Sequence, residues 1–600
     1  MHCQEAARHG CRVHRRARET GRMESLARQE ATNGPLPEHA TARALATGAA
    51  IGVFLAAGNV YTGLKIAFMD GGAIVAAVLG YSLFALLRPR RGYTRHENNV
   101  TQATAAAAGV MGAVAGLVGP IPAMELLGIA VMPGVIVVWG LALGGLGIAV
   151  AVLLAGRLIH REQLPFPTGT ATAEVITTAF RGPGTARRST RILVIALGSS
   201  MLVTAVRDLG EIVPSAWLVP AQLGAVSLAS LGVGVGASPL LMATGVLMGI
   251  RGGLSFVAGS VVAWLVLAPK LLAWEAVAKP EFISMVAWLV WPSVAMMVAS
   301  ATTSLALQWR GFGRALADLV RMVRRSRDDA PSRIGSWAVW GVATAMAVVT
   351  VVAVAVFEIH VVLVLALVPI GVVLTAVCAR AAGETDMAPV GSVGAIAQIG
   401  FGVGGPQTSL AAGSVASGMS SHGATLLWSL RTGKLLGTRP GALIVAQCVG
   451  TVVGVVVAVP AYAAIVSAHP LGSEQMPAPG ALMWKTTALA VGSGSAALPP
   501  HAGIAVLVAA GFGAWLTWAS SRDTAWARWC PSPIAMGTGF VMPAYFGGAI
   551  AVGVGVFAVL SRVAPEFCQR GLTTAAAGAM AGESLMGVGV AAAIAVGLWG

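Results

Sequence analysis

From about residue 42 to the C-terminus, apolar runs of 18 or more residues recur, parted by short loops that carry arginine. The stretches 134–156 ("GVIVVWGLALGGLGIAVAVLLAG") and 337–357 are examples, and another closes on "LFALL" just before Arg88. A backbone surrounded by hydrocarbon must satisfy its own N–H and C=O groups, which a helix does within one segment. Each such helix needs roughly 20 residues, so this chain has room for about 14 to 17 of them. The expected class is an all-α polytopic membrane protein.

Charge supports this class. Only 10% of the residues are charged, against about 25% in soluble domains. The net charge of +15 raises the question of nucleic acid, but the arginines sit between apolar runs. They cluster at Arg88–Arg95, Arg157 and Arg161, Arg187–Arg191, and Arg310–Arg327, as cytoplasmic loops do. The six cysteines show no CxxC spacing, so neither a disulfide framework nor a zinc site is expected. Residues 1–41 are polar and arginine-rich without the apolar core of a signal peptide. They read as a disordered cytoplasmic tail, in which Met23 offers an alternative start.

Placing that tail inside gives a topology. Segments near 44–63, 66–87, 99–119 and 125–156 return each arginine cluster to the cytoplasm, provided 164–180 enters and leaves on one side. Crossings near 192–206, 214–236, 239–268 and 283–308 then deliver Arg310–Arg327 inside. The division is therefore a transmembrane half at 42–309, a basic cytoplasmic linker at 310–333, and a second half at 334–600. "AGETDM" (382–387) echoes "AGESLM" (581–586), as transporters built from repeats would show.

Polar groups within apolar segments are candidate functional residues. "GNVYTGLKIAFMD" (58–70) places Asn59, Tyr61, Lys65 and Asp70 between two runs, as an outer loop or as an unwound stretch lining a cavity. "HENNVTQATAAAAG" (96–109) opens with Glu97, suited to capping a helix; Gln102 lies deeper and is the better site candidate. In "LPFPTGTATAEVI" (164–176) Pro165 and Pro167 interrupt helix. Thr168, Thr170 and Glu174 would then line a cavity, since irregular backbone at membrane depth needs polar cover. Arg251 stands alone in a glycine-rich run, able to grip a carboxylate, or ordinary if that run is two segments. Glu384 and Gln398 fall in a second glycine-rich stretch, and Glu583 in the apolar C-terminal segment. A carboxyl in apolar surroundings takes up a proton readily, so Glu384 and Glu583 are the proton-coupling candidates.

No Walker A, HExxH or GxSxG sequence is present, so ATP-driven transport is not expected, nor is catalysis. No cofactor and no resident metal are expected either. Eight stretches in order, "GNVYTGLK", "ENNVTQATAAAAG", "LPFPTGTATAEV", "GVLMGIRGGLSFVAG", "AGETDMAPVGSVGAIAQIGFG", "LRTGKLLGTRP", "PSPIAMGTGFVMP" and "AGESLMG", span about residues 50–590. Together they resemble the oligopeptide transporter family with its yellow stripe-like branch, and the Ala/Gly/Arg-rich composition looks like a prokaryotic-type member. The resemblance implies about 16 transmembrane segments in two related halves with re-entrant or broken helices. It also implies proton-coupled symport of short peptides, or alternatively of metal chelates, across the cell (inner) membrane. The segment "SHGATLLWSLRTG" (421–433) departs from the family in lacking an acid, which moves the coupling role onto Glu384 and Glu583. Two other classes are weighed beside this one. A membrane-embedded enzyme would need clustered acids, which 24 scattered Asp and Glu do not provide. A passive channel would need rings of charge or a carbonyl filter, which "GFGVGGP" (400–406) could imitate.

Overall fold

A computed structural model describes residues 39–67, 72–87, 91–181, 183–210, 212–223, 226–307, 333–385, 388–493, 498–522, 524, 527–596 and 598. The expected tail (apart from 39–41), the expected linker (apart from 333) and Asp70 lie outside these residues, as does the side chain of Glu384.

The first part of the chain forms α1 (Ala42–Ile66), α2 (Ala73–Leu87), α3 (Arg95–Gly109), α4 (Pro133–Ala155), α5 (Pro167–Arg181) and α6 (Pro183–Asp208). Four short strands follow: β1 (Ala216–Leu218), β2 (Gln222–Leu223), β3 (Val226–Ser227) and β4 (Gly234–Gly236). After them come α7 (Pro239–Val261) and α8 (Phe282–Leu307). The remainder forms α9 (Arg333–Ala355), α10 (Val361–Thr385), α11 (Val390–Phe401), α12 (Gly405–Leu436) and α13 (Pro440–Ala468). It ends with α14 (Pro479–Ser493), α15 (Ala502–Ser520), α16 (Ala544–Val563) and α17 (Thr573–Ala595). Among the described residues, ten helices are long and apolar enough to cross a membrane. The protein is a helical, multi-pass membrane protein.

Helix association in lipid depends on close packing, because lipid is as apolar as the helices themselves. The alanine-rich α3 shows how this chain achieves it. A Cβ added at Gly48 or Gly52 of α1 would lie 2.6–2.7 Å from Thr101, Thr104 or Ala108, and one at Gly454 of α13 would lie 2.5 Å from the Ala108 carbonyl. With glycine on both flanking helices and alanine between, the three backbones approach closely. The start of α3 is fixed by a capping box: Thr94 Oγ1 accepts from the Glu97 amide, and Glu97 accepts from the Thr94 amide. Glu97 also receives Arg43 Nε and Nη2, both at 2.7 Å, and the Thr41 hydroxyl at 2.8 Å. The capping role expected of this acid is the one it performs.

Four expectations change. Residues 58–66 are regular helix, ending at Ala67 in the left-handed region, so "GNVYTGLK" is neither loop nor unwound segment. The irregular stretch in "LPFPTGTATAEV" is confined to 163–166; Pro167 begins α5, and the threonines are helical. Proline suits the first helical turn, where its missing N–H has no partner to lose. The run 214–236 is not a crossing but two nested antiparallel ladders, β1 with β4 and β2 with β3. Pro214 and the glycines of 232–236 oppose helix there, and Trp217 and Leu218 are exposed. Finally, α7 is broken at Gly249 (φ 66°, ψ −175°), a conformation open to glycine, so Arg251 follows a break rather than sitting within one crossing.

Candidate functional site

A cavity of about 480 Å³ opens where the C-terminal ends of α1 and α6 meet the N-terminus of α7, with α16, α17 and the loop after α13 completing the wall. Behind its wall, bonded to the lining residues Lys65, Arg207 and Ser238, lies Glu583 of α17, whose side chain has no solvent exposure and does not itself line the cavity. Ser238, the N-cap of α7, places its Oγ 2.9 and 2.8 Å from the two carboxylate oxygens and shares its one hydrogen between them. The Leu240 amide donates to Oε2 at 2.9 Å, so the carboxylate occupies a helix N-terminus, where unpaired N–H groups favour an anion. Two cations complete its shell: Arg207 Nη1 at 3.2 Å and Lys65 Nζ at 3.4 Å.

The two cations are held differently. Arg207 donates Nε and Nη2 to the two oxygens of Asp208, at 2.6 and 2.9 Å, and Nη1 to the Ala237 carbonyl at 2.8 Å. This planar fork is fixed on three sides. Lys65 donates to the Tyr61 hydroxyl at 2.9 Å, one helical turn away, and, among the described residues, otherwise only to Glu583. The Tyr61 ring is seated against Gly587, where an added Cβ would lie 2.5 Å from it. Ser584, beside Glu583, shares a 2.8 Å hydrogen bond with Thr62. The α1–α17 contact is thus polar along one face. Glu583 lies in an ionic setting, not the apolar one that its sequence context suggests.

A second cavity, about 380 Å³, lies between the second half of α3, the start of α5 and the second half of α12. Its lining holds Gln102, Thr168, Thr172, Ser421, Thr425, Trp428 and Ser429, with no charged side chain.

The sequence candidates therefore divide. Tyr61 and Lys65 line the charged cavity, with Glu583 bonded to Lys65 behind its wall, and Gln102 and Thr168 line the neutral one. Asn59 bonds the Gly109 carbonyl, Thr170 the Pro165 carbonyl and Gln398 the Trp484 carbonyl; these side chains tie backbones together and line neither cavity. Glu174 is exposed on α5, away from both. Arg251 is exposed and donates Nε to the Cys530 carbonyl at 2.8 Å, far along α7 from Ser238. Arg207, Asp208 and Ser238 were not anticipated. Arg207 and Asp208 close an apolar run and read as an interfacial end; only "SP" at 238–239 carries a legible signal, that of a helix cap.

The profile of the OPT oligopeptide transporter protein family matches residues 39–594. The chain belongs to this family. A Saccharomyces cerevisiae relative named "Putative oligopeptide transporter" is 23% identical over 665 residues, covering 86% of this chain and 91% of its own. A Haemophilus influenzae protein of the same name is 25% identical, over 42% of this chain and 38% of its own. A metal-nicotianamine transporter of Arabidopsis thaliana is 29% identical, over 34% of this chain and 32% of its own. Family and relatives together mark an OPT-family transporter, in agreement with the resemblance drawn from the eight sequence stretches.

Proposed function

We propose that this OPT-family protein is a proton-coupled symporter that takes up short peptides across the cell (inner) membrane, with its N-terminus in the cytoplasm. About 16 segments in two related halves, 42–309 and 334–600, would then flank the basic linker 310–333. The arginine clusters support this sidedness, and it turns the charged cavity outward and the neutral cavity inward. The observation that carries the reading is Glu583, buried on the two cations that line a cavity large enough for a drug-sized solute. While Glu583 is ionised it occupies both cations. Protonated, it releases them to an incoming anionic group, so proton and cargo enter together. Glu384 stays a second candidate for coupling, and Gln102 and Thr168 a second resting place for cargo.

Uptake into proteoliposomes under an inward proton gradient tests this reading. A di- to hexapeptide pool and a panel of iron chelates are offered separately, with mass spectrometry of the lumen. Peptides accumulating with the gradient support the proposal. Chelates accumulating instead favour the second reading, for which the metal-nicotianamine relatives speak. Equilibration without accumulation would mark a passive channel. Glu583→Gln should remove gradient-driven accumulation while exchange between internal and external cargo persists.

A further inference from the structure

The charged cavity is polar along its depth. Side-chain exposure rises from Glu583 at 0%, through Arg207 at 7% and Lys65 at 11%, to Asp208 at 28%, and Glu474 at the mouth is exposed. Lys65 and Arg207 are balanced in charge by Glu583 and Asp208, but unevenly: Arg207 carries the bidentate contact to Asp208, and Lys65 has only the long contact to Glu583. Asp208 is engaged by Arg207, whereas Glu474, on the loop after α13, forms no ion pair among the described residues. The cavity thus carries a loosely held ammonium deep inside and, among the described residues, an unpaired carboxylate at its entrance.

The two deep cations differ in what they can still offer. Arg207 uses four of its five N–H groups on Asp208, Ala237 and Glu583, which pin its plane. An ammonium has three donors; Lys65 spends one on Tyr61 and a second on Glu583 at 3.4 Å, beyond the usual N–H···O range. Lys65 keeps one donor and a weak second contact on a flexible stem, so it is the cation that can turn toward another anion.

From this arrangement we infer that the cavity takes a zwitterionic cargo carboxylate-first, with Lys65 reading the carboxylate and Glu474 the amine. Lys65 then determines specificity, and a cargo whose carboxylate is blocked is rejected. Gly587 acts with it, since only a residue without Cβ leaves Tyr61 where it holds Lys65. The inference rests on the peptide-transport reading and adds an orientation to it.

The test uses the full chain in mild detergent with three probes: trialanine, trialanine amide and N-acetyltrialanine. Binding is read by ligand-induced thermal stabilisation and confirmed by isothermal titration. A hydrogen bond between charged partners makes the expected loss for the amide about tenfold or more. The exposed Glu474 predicts a smaller loss for the acetylated peptide, about threefold. Lys65→Gln should bind acid and amide alike; Glu474→Gln, a change on an exposed loop, should bind free and acetylated amines alike. Equal binding of acid and amide by the unmodified protein overturns the carboxylate-first orientation and leaves peptide transport standing. Tighter binding of the amide also overturns it. Binding of none of the three overturns both readings. Because the acid-to-amide ratio of the unmodified protein decides, the proposal stays testable even if Lys65→Gln fails to fold.

Discussion

Removing the charge of Glu583 should cost more than removing that of Lys65, although the two form one ion pair. In Glu583→Gln, Arg207 keeps both oxygens of Asp208 and the Ala237 carbonyl. Among the described residues Lys65 keeps only the Tyr61 hydroxyl, at a site where its side chain is 11% exposed. Stranding one member of a buried pair costs about 3–5 kcal/mol. In Lys65→Met, by contrast, Glu583 retains Arg207, Ser238 and the Leu240 amide, and the cost should be nearer 1–3 kcal/mol, the loss of one charged hydrogen bond. Combining the substitutions removes the stranded cation, so the double variant should recover about 2 kcal/mol or more relative to Glu583→Gln. Equilibrium unfolding of the four proteins in mixed detergent micelles, followed by tryptophan fluorescence, measures the cycle. If Lys65→Met is the more damaging single change, or if the two effects add, the ion-pair account of Glu583 is wrong.

Three further outcomes follow from other contacts. At Gly587, alanine would press on the Tyr61 ring, so Gly587→Ala should destabilise by about 1–3 kcal/mol and weaken cargo binding in parallel with Lys65→Gln; unchanged affinity would separate Tyr61 from the site. Glu97 lies in the first turn of α3, outside the ten spanning helices. Burial alone would raise its carboxyl, but Arg43, Thr41 and the Thr94 amide hold it down at about 2, from an ordinary 4.5. Its stabilising contribution is complete above about pH 4.5 and is lost as pH falls through 2, so Glu97→Gln should narrow its gap from the parent protein steadily as thermal stability is measured from pH 5 to 3. Arg251→Ala, away from both cavities, should leave peptide affinity within about twofold and lower stability by about 1 kcal/mol through its bond to Cys530; a larger loss of affinity would return Arg251 to the site.

Much was determined by the sequence alone, because lipid leaves a chain few options. Runs of this length and apolarity must become helices, and the proline and glycine punctuation shows where several of them stop. The capping role of Glu97 and the presence of Glu583 inside an apolar segment were legible for the same local reason. Tertiary structure decided what those groups meet. Lys65, Arg207, Ser238 and Glu583 come from four distant parts of the chain, and periodicity carries no information about which helix ends share a cavity. It also separated candidates that look alike in sequence: Gln102 faces a cavity while Gln398 secures a backbone carbonyl. The hairpin at 216–236 was hidden for a related reason, since an apolar run beside a broken helix has the composition of a crossing. A local pattern states that a polar group is buried and must be satisfied; only the packed helices supply the partner that satisfies it.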